Sequence, residues 1–210
     1  MAITVMLADD HEIVREGVRS ILERDGFCVV GEASDGREAV AMASRLGPQV
    51  AVLDAAMPLL NGIDAARAIT ALRRGTKTLL LTMHTEAPRV RQALRAGIRG
   101  YVVKTQASSD LTRAIHDVVR GHLYLSPIVS NAAVSAHLRP PGTAGAPLTL
   151  REREVVQLIA EGKTTKEIAS ILHLSAKTVD SHRTRSMAKL DVHNISSLVR
   201  YAIREGMIAP

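Results

Sequence analysis

Five short apolar runs alternate with stretches of helical periodicity over the first 120 residues, and this alternation restricts the fold most. The runs are Ile3–Ala8, Cys28–Glu32, Val50–Asp54, Thr78–Thr82 and Gly100–Val103. Nearly continuous apolar strands separated by amphipathic helices are typical of a parallel sheet covered on both faces. The pattern therefore predicts an α/β domain with a doubly wound, flavodoxin-like sheet of five parallel strands, in the order 2-1-3-4-5.

A different pattern follows Gly121. The densest cluster of proline and glycine in the chain, Pro140–Pro147, predicts a linker, with a short helix over 131–138 before it. From Thr149 onward four helical patterns follow one another and no strand pattern remains. The predicted organisation is an α/β domain at 1–121, a linker at 122–146, and an all-α domain of four helices at 147–210.

Charge is distributed unevenly between these parts. Residues 1–125 hold 16 Lys and Arg against 14 Asp and Glu, whereas residues 126–210 hold 11 against 7, and the whole chain has a pI near 9.9. This balance predicts an anionic partner, with nucleic acid ahead of an acidic membrane. Aromatic residues make up only 2% of the chain, which disfavours single strands and RNA because their bases stack on rings. Duplex DNA is the expected partner.

Several features bear on the compartment. The chain has no run of eighteen apolar residues, and the apolar run Ala2–Ala8 lacks the basic segment of a signal peptide, so no membrane partner is expected. Cys28 is the only cysteine and cannot form an internal disulfide. It is expected to be a buried strand residue. These observations predict a cytoplasmic protein.

Charged and hydroxyl side chains stand where the predicted strands end. Asp9 and Asp10 end the first strand, Asp54 the third, Thr82 the fourth and Lys104 the fifth. Since parallel strands carry their sites at their carboxyl ends, three carboxylates are expected to converge. They would bind a hard cation such as Mg²⁺, with a hydroxyl and an ammonium group beside them for a phosphoryl group. Taken singly, Asp10 is equally well explained as a helix cap and Lys104 as a solvated charge.

This arrangement resembles the receiver domain of bacterial two-component response regulators over residues 3–120. The resemblance is carried by Asp9-Asp10, Asp54-Ala55-Ala56-Met57-Pro58, Asn61-Gly62, Thr82, and Tyr101 three residues before Lys104. One departure is Thr105, where many receivers have proline. His11, His116, His122 and His137 have no metal-ligand spacing and are assigned no chemistry.

The resemblance implies a role for each residue of the predicted pocket. Asp54 would accept a phosphoryl group from the phosphohistidine of a sensor histidine kinase. Asp9 and Asp10, with Asp54 and the carbonyl of Ala56, would hold Mg²⁺. Thr82 and Lys104 would bind the phosphoryl oxygens, and Tyr101 would change rotamer as Thr82 moves. Ala56 and His84 would affect the lifetime of the phosphoryl group.

The C-terminal helices are predicted at Thr149–Glu161, Thr165–His173 and Ala176–Leu190, followed by a fourth after Asn194. Thr149-x-x-Glu152 and Thr164-x-x-Glu167 match the capping box. The short turn before Ala176 is that of a helix-turn-helix, and the third helix carries a polar, basic face suited to a major groove. A solvated basic face on an ordinary helical bundle is the alternative.

These helices resemble the LuxR-type helix-turn-helix of the NarL/FixJ subfamily over about 146–210, through Leu148–Val155, Gly162-Lys163, Lys166–Ala169 and Ser175–His182. The resemblance implies that the third helix is the recognition helix that contacts DNA. The start of the second helix would lie near the DNA backbone. Asp180 would accept from a cytosine amino group or orient Arg183. The predicted DNA-binding residues are Thr164, Thr165, Lys166, Lys177, Thr178, Asp180, Ser181, His182, Arg183 and Arg185.

Together these features predict a phosphorylation-controlled transcriptional regulator that binds a double-stranded DNA operator. It would not be an enzyme, beyond catalysing its own aspartyl phosphorylation and dephosphorylation. A homodimer is expected after phosphorylation, although the last helix could equally just close its bundle. One hypothesis is that the unphosphorylated receiver hides the third helix. A regulator independent of phosphorylation, and a flavodoxin-like enzyme with a basic tail, remain alternatives.

Overall fold

The computed structural model describes residues 2–129 and 148–208, which fall into two compact units. The boundary between the units falls between residues 139 and 140, outside the described residues. Residues 130–146 of the predicted linker, with the helix predicted over 131–138, also lie outside them. The predicted domain limits therefore stay predictions. Within the described parts, no helix combines the length and the hydropathy needed to cross a membrane.

Within residues 2–129, the first unit is a parallel sheet with helices on its faces. Its strands are β1 Thr4–Ala8, β2 Cys28–Ala33, β3 Val50–Asp54, β4 Lys77–Thr82, β5 Gly100–Val103 and β6 Tyr124–Leu125. The helices between them are α1 Glu12–Arg24, α2 Gly36–Leu46, α3 Gly62–Ala71, α4 Ala87–Arg95 and α5 Ala107–Val119. The strand order is β2-β1-β3-β4-β5-β6. The predicted fold class and strand order are thus confirmed, with a short sixth strand added beside β5.

Helices cover both faces of the sheet because its strands are apolar on both. One core cluster joins alternate strand residues such as Val5, Leu7 and Val52 to Leu22 of α1 and Ile115 of α5. Helices α2 and α3 contact each other and the sheet as well. The packing fixes the strand ends, which is where the predicted pocket lies.

Two details differ from the expectation. Cys28 is exposed, not buried, because it opens β2, the strand at the edge of the sheet. Tyr124 and Leu125 fall in the segment predicted as linker, yet they pair in parallel with Gly100 and Tyr101. Two residues are too few to show a strand pattern in the sequence.

Over residues 148–208, the second unit forms four helices: α6 Leu150–Ala160, α7 Thr165–Leu172, α8 Ala176–Leu190 and α9 Ile195–Arg204. The predicted capping boxes form at the starts of α6 and α7. Ser175 caps α8 and Asn194 caps α9, each through its side-chain oxygen. A cluster of Val156, Leu198, Ala202 and Met207 forms the core of this unit. The helix-turn-helix is α7 and α8, joined through the left-handed residue His173.

Candidate functional site: an acidic pocket and a basic helix

Three predicted pocket residues meet at the carboxyl edge of the sheet. The ammonium group of Lys104 lies 2.8 Å from Asp9 Oδ2 and 2.7 Å from Asp54 Oδ1. Asp9 and Asp54 are each only 5% exposed. These residues are up to 95 positions apart in the chain, and they meet because β1, β3 and β5 are parallel and end at the same edge.

Burial and charge shift the pKa values of this group. Burial raises the pKa of the Asp54 carboxyl, and this effect exceeds the lowering by the hydrogen bond and charge of Lys104. Burial alone would lower the pKa of Lys104, but the hydrogen bonds and charges of Asp54 and then Asp9 raise it. Lys104 is therefore protonated and places a positive charge next to the Asp54 carboxylate.

Removing this cation should change the titration of Asp54. In the variant Lys104→Met, the Asp54 pKa is expected to rise further, because the ammonium group favours the ionised carboxylate. Carboxyl ¹³C chemical shifts followed against pH would measure it. Arg113→Gln, which removes an exposed charge from α5, is the matched control and should leave the titration of Asp54 unchanged. An Asp54 titration that stays the same in Lys104→Met would show that the ion pair does not tune this group.

Asp10 is exposed at the mouth of the pocket and does not cap α1. The helix begins after His11, and no side chain caps its first turn. His11 instead places Nδ1 2.9 Å from Asp10 Oδ1 and 3.4 Å from Asp9 Oδ1. Ligand atoms of these three residues lie within 4.8 Å of one another. The alternative of Asp10 as a helix cap is thus wrong, and His11 is a neighbour of the pocket that the sequence did not reveal.

The loop after β3 orients the buried carboxylate. The backbone N–H of Ala56 donates to Asp54 Oδ2 at 3.0 Å, so each oxygen of Asp54 has its own donor. Gly62 begins α3 against the same backbone: its N–H donates to the carbonyl of Ala55, and a β-carbon at this position would lie 1.9 Å from the carbonyl oxygen of Asp54. Only glycine fits at this position, which explains why glycine follows Asn61 in the motif.

A buried charge that the sequence did not reveal supports this loop. Asp64 is fully buried on the first turn of α3. It accepts a hydrogen bond from Asn61 Nδ2 at 2.8 Å and pairs with Arg67 at 2.8 Å. Asn61 also caps α3 by accepting from the backbone N–H of Asp64. The network holds the start of α3 next to Asp54.

Thr82 and Tyr101 are connected through the backbone of His84. The N–H of His84 donates to Thr82 Oγ1 at 3.1 Å, and its carbonyl accepts from the Tyr101 hydroxyl at 2.8 Å. Both side chains are 1% exposed. Burial, followed by the nearby charge of Glu86, raises the pKa of Tyr101 to about 12, so its hydroxyl remains a donor. A displacement of Thr82 would therefore change the surroundings of the Tyr101 hydroxyl, through His84 and through the hydrogen bond between the two side chains.

The donor set of the pocket fits a hard divalent cation. Asp9, Asp10 and Asp54 supply three carboxylates, and Lys104 supplies one positive charge, which leaves a formal charge of about −2 when all are ionised. Carboxylate and carbonyl oxygens are the ligands that Mg²⁺ prefers. The residues present therefore fit Mg²⁺ by both charge and ligand type.

In the second unit, helix α8 presents the predicted basic face. Lys177, Ser181 and Arg185 are exposed at intervals of four residues, so they share one side of the helix. Thr178, Asp180, His182 and Arg183 flank them and are partly buried. This face offers cations, hydroxyl groups and an imidazole over more than two helical turns.

Several of the predicted DNA-binding side chains already have partners within the unit. Arg183 Nη2 lies 3.1 Å from Asp180 Oδ1, as expected if Asp180 orients Arg183. The hydroxyl of Thr164 belongs to the capping box of α7 and bonds with Glu167, while Thr165 is half-buried and Lys166 exposed. Burial, then the charges of Arg185 and Arg151, lower the pKa of His182.

Side-chain contacts join α6 to both α7 and α8. Arg151 of α6 donates to the carbonyl of Leu172 at 3.0 Å, at the end of α7. Glu152 is 3% exposed and lies 2.7 Å from Lys189 near the end of α8. Neither contact was predicted, because each joins residues that only the fold brings together.

The last helix has more apolar surface than its own unit covers. Leu198 and Ala202 are fully buried in the core, but Ile195 is 54% exposed and Val199 and Ile203 are only partly buried. The apolar side chains of α9 thus extend from the core onto its exposed surface.

Comparisons with known proteins match both units. Residues 5–116 match the family model described as response regulator receiver domain, and residues 146–202 match that of bacterial regulatory proteins, luxR family. Together they span most of the chain.

Known relatives match this chain over nearly its whole length and nearly the whole of theirs. Response regulator UvrY of Escherichia coli is 37% identical, covering 98% of this chain and 95% of the relative. Transcriptional regulatory protein LiaR of Bacillus subtilis is also 37% identical, covering 98% of this chain and 99% of the relative. The solved RcsB–DNA complex is 30% identical, with a TM-score of 0.62 and coverage of 98% of this chain and 99% of that one.

Proposed function

Since the chain belongs to the response regulators that join a receiver domain to a LuxR-type helix-turn-helix, we propose that Asp54 is its phospho-acceptor and that helix α8 reads its operator. As a member of this family, the chain is a transcriptional regulator. A sensor histidine kinase would supply the phosphoryl group. The P–N bond to the kinase histidine breaks, and a P–O bond to an Asp54 carboxylate oxygen forms.

The observation that carries the proposal is the contact of Lys104 with both Asp9 and Asp54 in a nearly buried pocket. A carboxylate is a weak nucleophile, so positioning and charge neutralisation must supply most of the catalysis. Asp54 has both oxygens held by donors, from Lys104 and Ala56. Lys104 can turn to an oxygen of the phosphoryl group, and Thr82 supplies a hydroxyl at the end of the neighbouring strand β4.

Mg²⁺ would be held by Asp9, Asp10, Asp54 and the carbonyl of Ala56, and when bound it supplies positive charge for the phosphoryl oxygens. Asp10 is the exposed member of this set, and Asp9 accepts the N–H of His11 as well as the ammonium group of Lys104. The chain acts on no other substrate in this proposal: its chemistry is limited to gaining and losing its own phosphoryl group.

Phosphorylation would be transmitted through Thr82, His84 and Tyr101. If Thr82 turns toward the phosphoryl group, its hydrogen bond with the His84 N–H is weakened and the Tyr101 contact changes with it. The population then shifts toward a homodimer that binds DNA. Moving a two-state equilibrium from 1:99 to 99:1 takes about 5.5 kcal/mol.

The dimer would bind a palindromic operator with half-sites about one helical turn apart. The exposed side chains of α8 would enter the major groove, with Asp180 orienting Arg183. The apolar surface left open on α9 supports a contact between two copies. The solved relative RcsB is bound to DNA.

Peptide mapping tests the assignment of the acceptor. After incubation with a small phosphoryl donor and Mg²⁺, the phosphoryl group is expected on the peptide that contains Asp54. An acyl phosphate is labile, so reduction with borohydride before digestion would preserve the position. Modification at any other residue would contradict the proposal.

A substitution on α8 tests the proposed DNA interface. Lys177→Ala should weaken operator binding and reduce the salt slope, which is the slope of log K against log salt concentration, by about 1 in magnitude. This is the effect of losing one phosphate contact. Arg204→Ala, which removes an exposed arginine from α9, is the matched control. Fluorescence anisotropy over a range of salt concentrations would measure both. Equal slopes for Lys177→Ala and the wild type would remove Lys177 from the interface.

A further inference from the structure

Charge is segregated inside the first unit. Residues 1–64 contain eleven Asp and Glu against five Arg, whereas residues 65–109 contain nine Lys and Arg against a single acid, Glu86. The nearly balanced total for this unit therefore hides a strongly acidic part and a strongly basic part.

Most carboxylates of the acidic part either have hydrogen-bond or ion-pair partners within the first unit or belong to the pocket. Glu32 accepts hydrogen bonds from both Arg15 and Arg19, and the buried Asp64 pairs with Arg67. Glu23 and Asp25 lie against Arg19 and Arg24, and Asp35 caps α2. Asp9, Asp10 and Asp54 belong to the pocket, whereas Glu12 and Glu16 are exposed. This part consequently leaves few carboxylates to pair with the basic part of a second copy.

Five cations of the basic part lie at one edge of the sheet, which we call the basic edge. It consists of Arg73, Arg74, Lys77, Arg95 and Arg99. Arg73 and Arg74 follow α3, Lys77 opens β4, Arg95 ends α4 and Arg99 precedes β5. Because β4 and β5 are parallel neighbours, all five lie where strands begin, at the edge opposite Asp54.

The basic edge is open to solvent and lacks internal counter-charges. Lys77 is partly buried and the other four are exposed. Within residues 2–129 and 148–208, no carboxylate oxygen lies within 4.0 Å of any of the five charged groups. A cluster of unpaired like charges creates a positive potential that attracts an anionic partner.

The composition of the edge distinguishes among anionic partners. In the part of the chain that the structure describes, the large exposed apolar residues are Ile13, Leu46, Met83, Leu123, Ile128 and Ile195. None of them lies between residues 72 and 77 or between 95 and 99. A protein partner would need such anchors at the centre of an interface. These stretches also have no aromatic ring for stacking a single strand.

We propose that the basic edge binds the phosphate backbone of duplex DNA without reading its sequence. This inference rests on the proposed function, because helix α8 brings the chain to a duplex. Covalent linkage then gives the first unit a high effective concentration near the same DNA. The basic edge adds phosphate contacts, and so salt-dependent affinity, to those of the helix-turn-helix.

The test compares two triple variants of the full chain. Arg73→Gln, Arg74→Gln and Arg99→Gln remove three charges from the basic edge. Arg37→Gln, Arg89→Gln and Arg113→Gln, made as the control, remove three charges elsewhere in the first unit. Binding to a duplex of unrelated sequence is measured by anisotropy over a salt series.

The edge variant is expected to lower the salt slope of log K by up to about 2.7, and the control to leave it unchanged. If the edge triple unfolds, Arg74→Gln alone should lower the slope by about 0.9. Equal slopes in the edge and control variants would overturn the inference. So would a selective loss of binding to polyglutamate with duplex binding intact, which would indicate a protein partner.

Repeating the series with Lys177→Ala separates this inference from the proposed function. In the Lys177→Ala background, the edge substitutions should still lower the salt slope, because the contacts of the basic edge do not depend on α8. A wild type that binds no duplex would refute the proposed function itself. A wild type that binds through Lys177, with no edge effect, would refute only the basic edge.

Discussion

Asp54→Asn should abolish phosphorylation of the chain by a small phosphoryl donor, lowering incorporation by a factor of at least about 100. The reason is that an amide cannot act as the nucleophile. Asp9 also has a donor on each oxygen, from the His11 N–H and from Lys104, but it is proposed to hold Mg²⁺ and not to accept the phosphoryl group. Incorporation of phosphate, measured by intact-protein mass spectrometry in the presence of Mg²⁺, is the readout.

Asp117→Asn is the control for this prediction. It removes a carboxylate from α5 outside the pocket and should leave incorporation unchanged. The Asp54→Asn variant should also bind Mg²⁺ more weakly, since Asp54 is one of the three carboxylates proposed to hold it. Incorporation at the wild-type level in Asp54→Asn would move the acceptor to another residue.

Gly62→Ala should destabilise the first unit by about 1–3 kcal/mol, the usual cost of forcing an extra group into packed structure. The new β-carbon would stand 1.9 Å from the carbonyl oxygen of Asp54, so the backbone of the acceptor must move. A loss of phosphoryl incorporation should accompany the loss of stability. Calorimetry, which separates the transitions of two units, would measure the stability.

Gly17→Ala provides the contrast. Gly17 lies within α1, and a β-carbon there would meet no atom within 4 Å. Alanine is favoured over glycine inside a helix, so this variant should gain about 0.5–1 kcal/mol and keep full incorporation. If Gly62→Ala proved as stable and as active as Gly17→Ala, the close packing of α3 against Asp54 would be contradicted.

The position of the pocket could be predicted because strand order decides which strand ends are neighbours. Once Asp9, Asp54 and Lys104 were placed at the ends of parallel strands, their convergence followed from the topology. The capping residues Thr149 and Thr164 were equally predictable, since a capping box is a local pattern of hydroxyl and carboxylate.

What the sequence did not reveal depends on contacts made in three dimensions. Asp64 resembled an ordinary acidic residue in the first turn of a helix, and only the packing of α3 shows it buried with Arg67. Cys28 was expected to be buried because its run is apolar, whereas the edge position of β2 exposes it. The contact of Arg151 with Leu172 required the arrangement of two helices, α6 and α7.

In the proposed mechanism, the chemical state of Asp54 sets the affinity of α8 for DNA. The most direct measurement is the affinity of the full chain for its operator, with and without a small phosphoryl donor and Mg²⁺, for the wild type and Asp54→Asn. We predict tighter binding on phosphorylation in the wild type and no change in the variant. An identical response in both proteins, or none in a fully phosphorylated wild type, would contradict this mechanism.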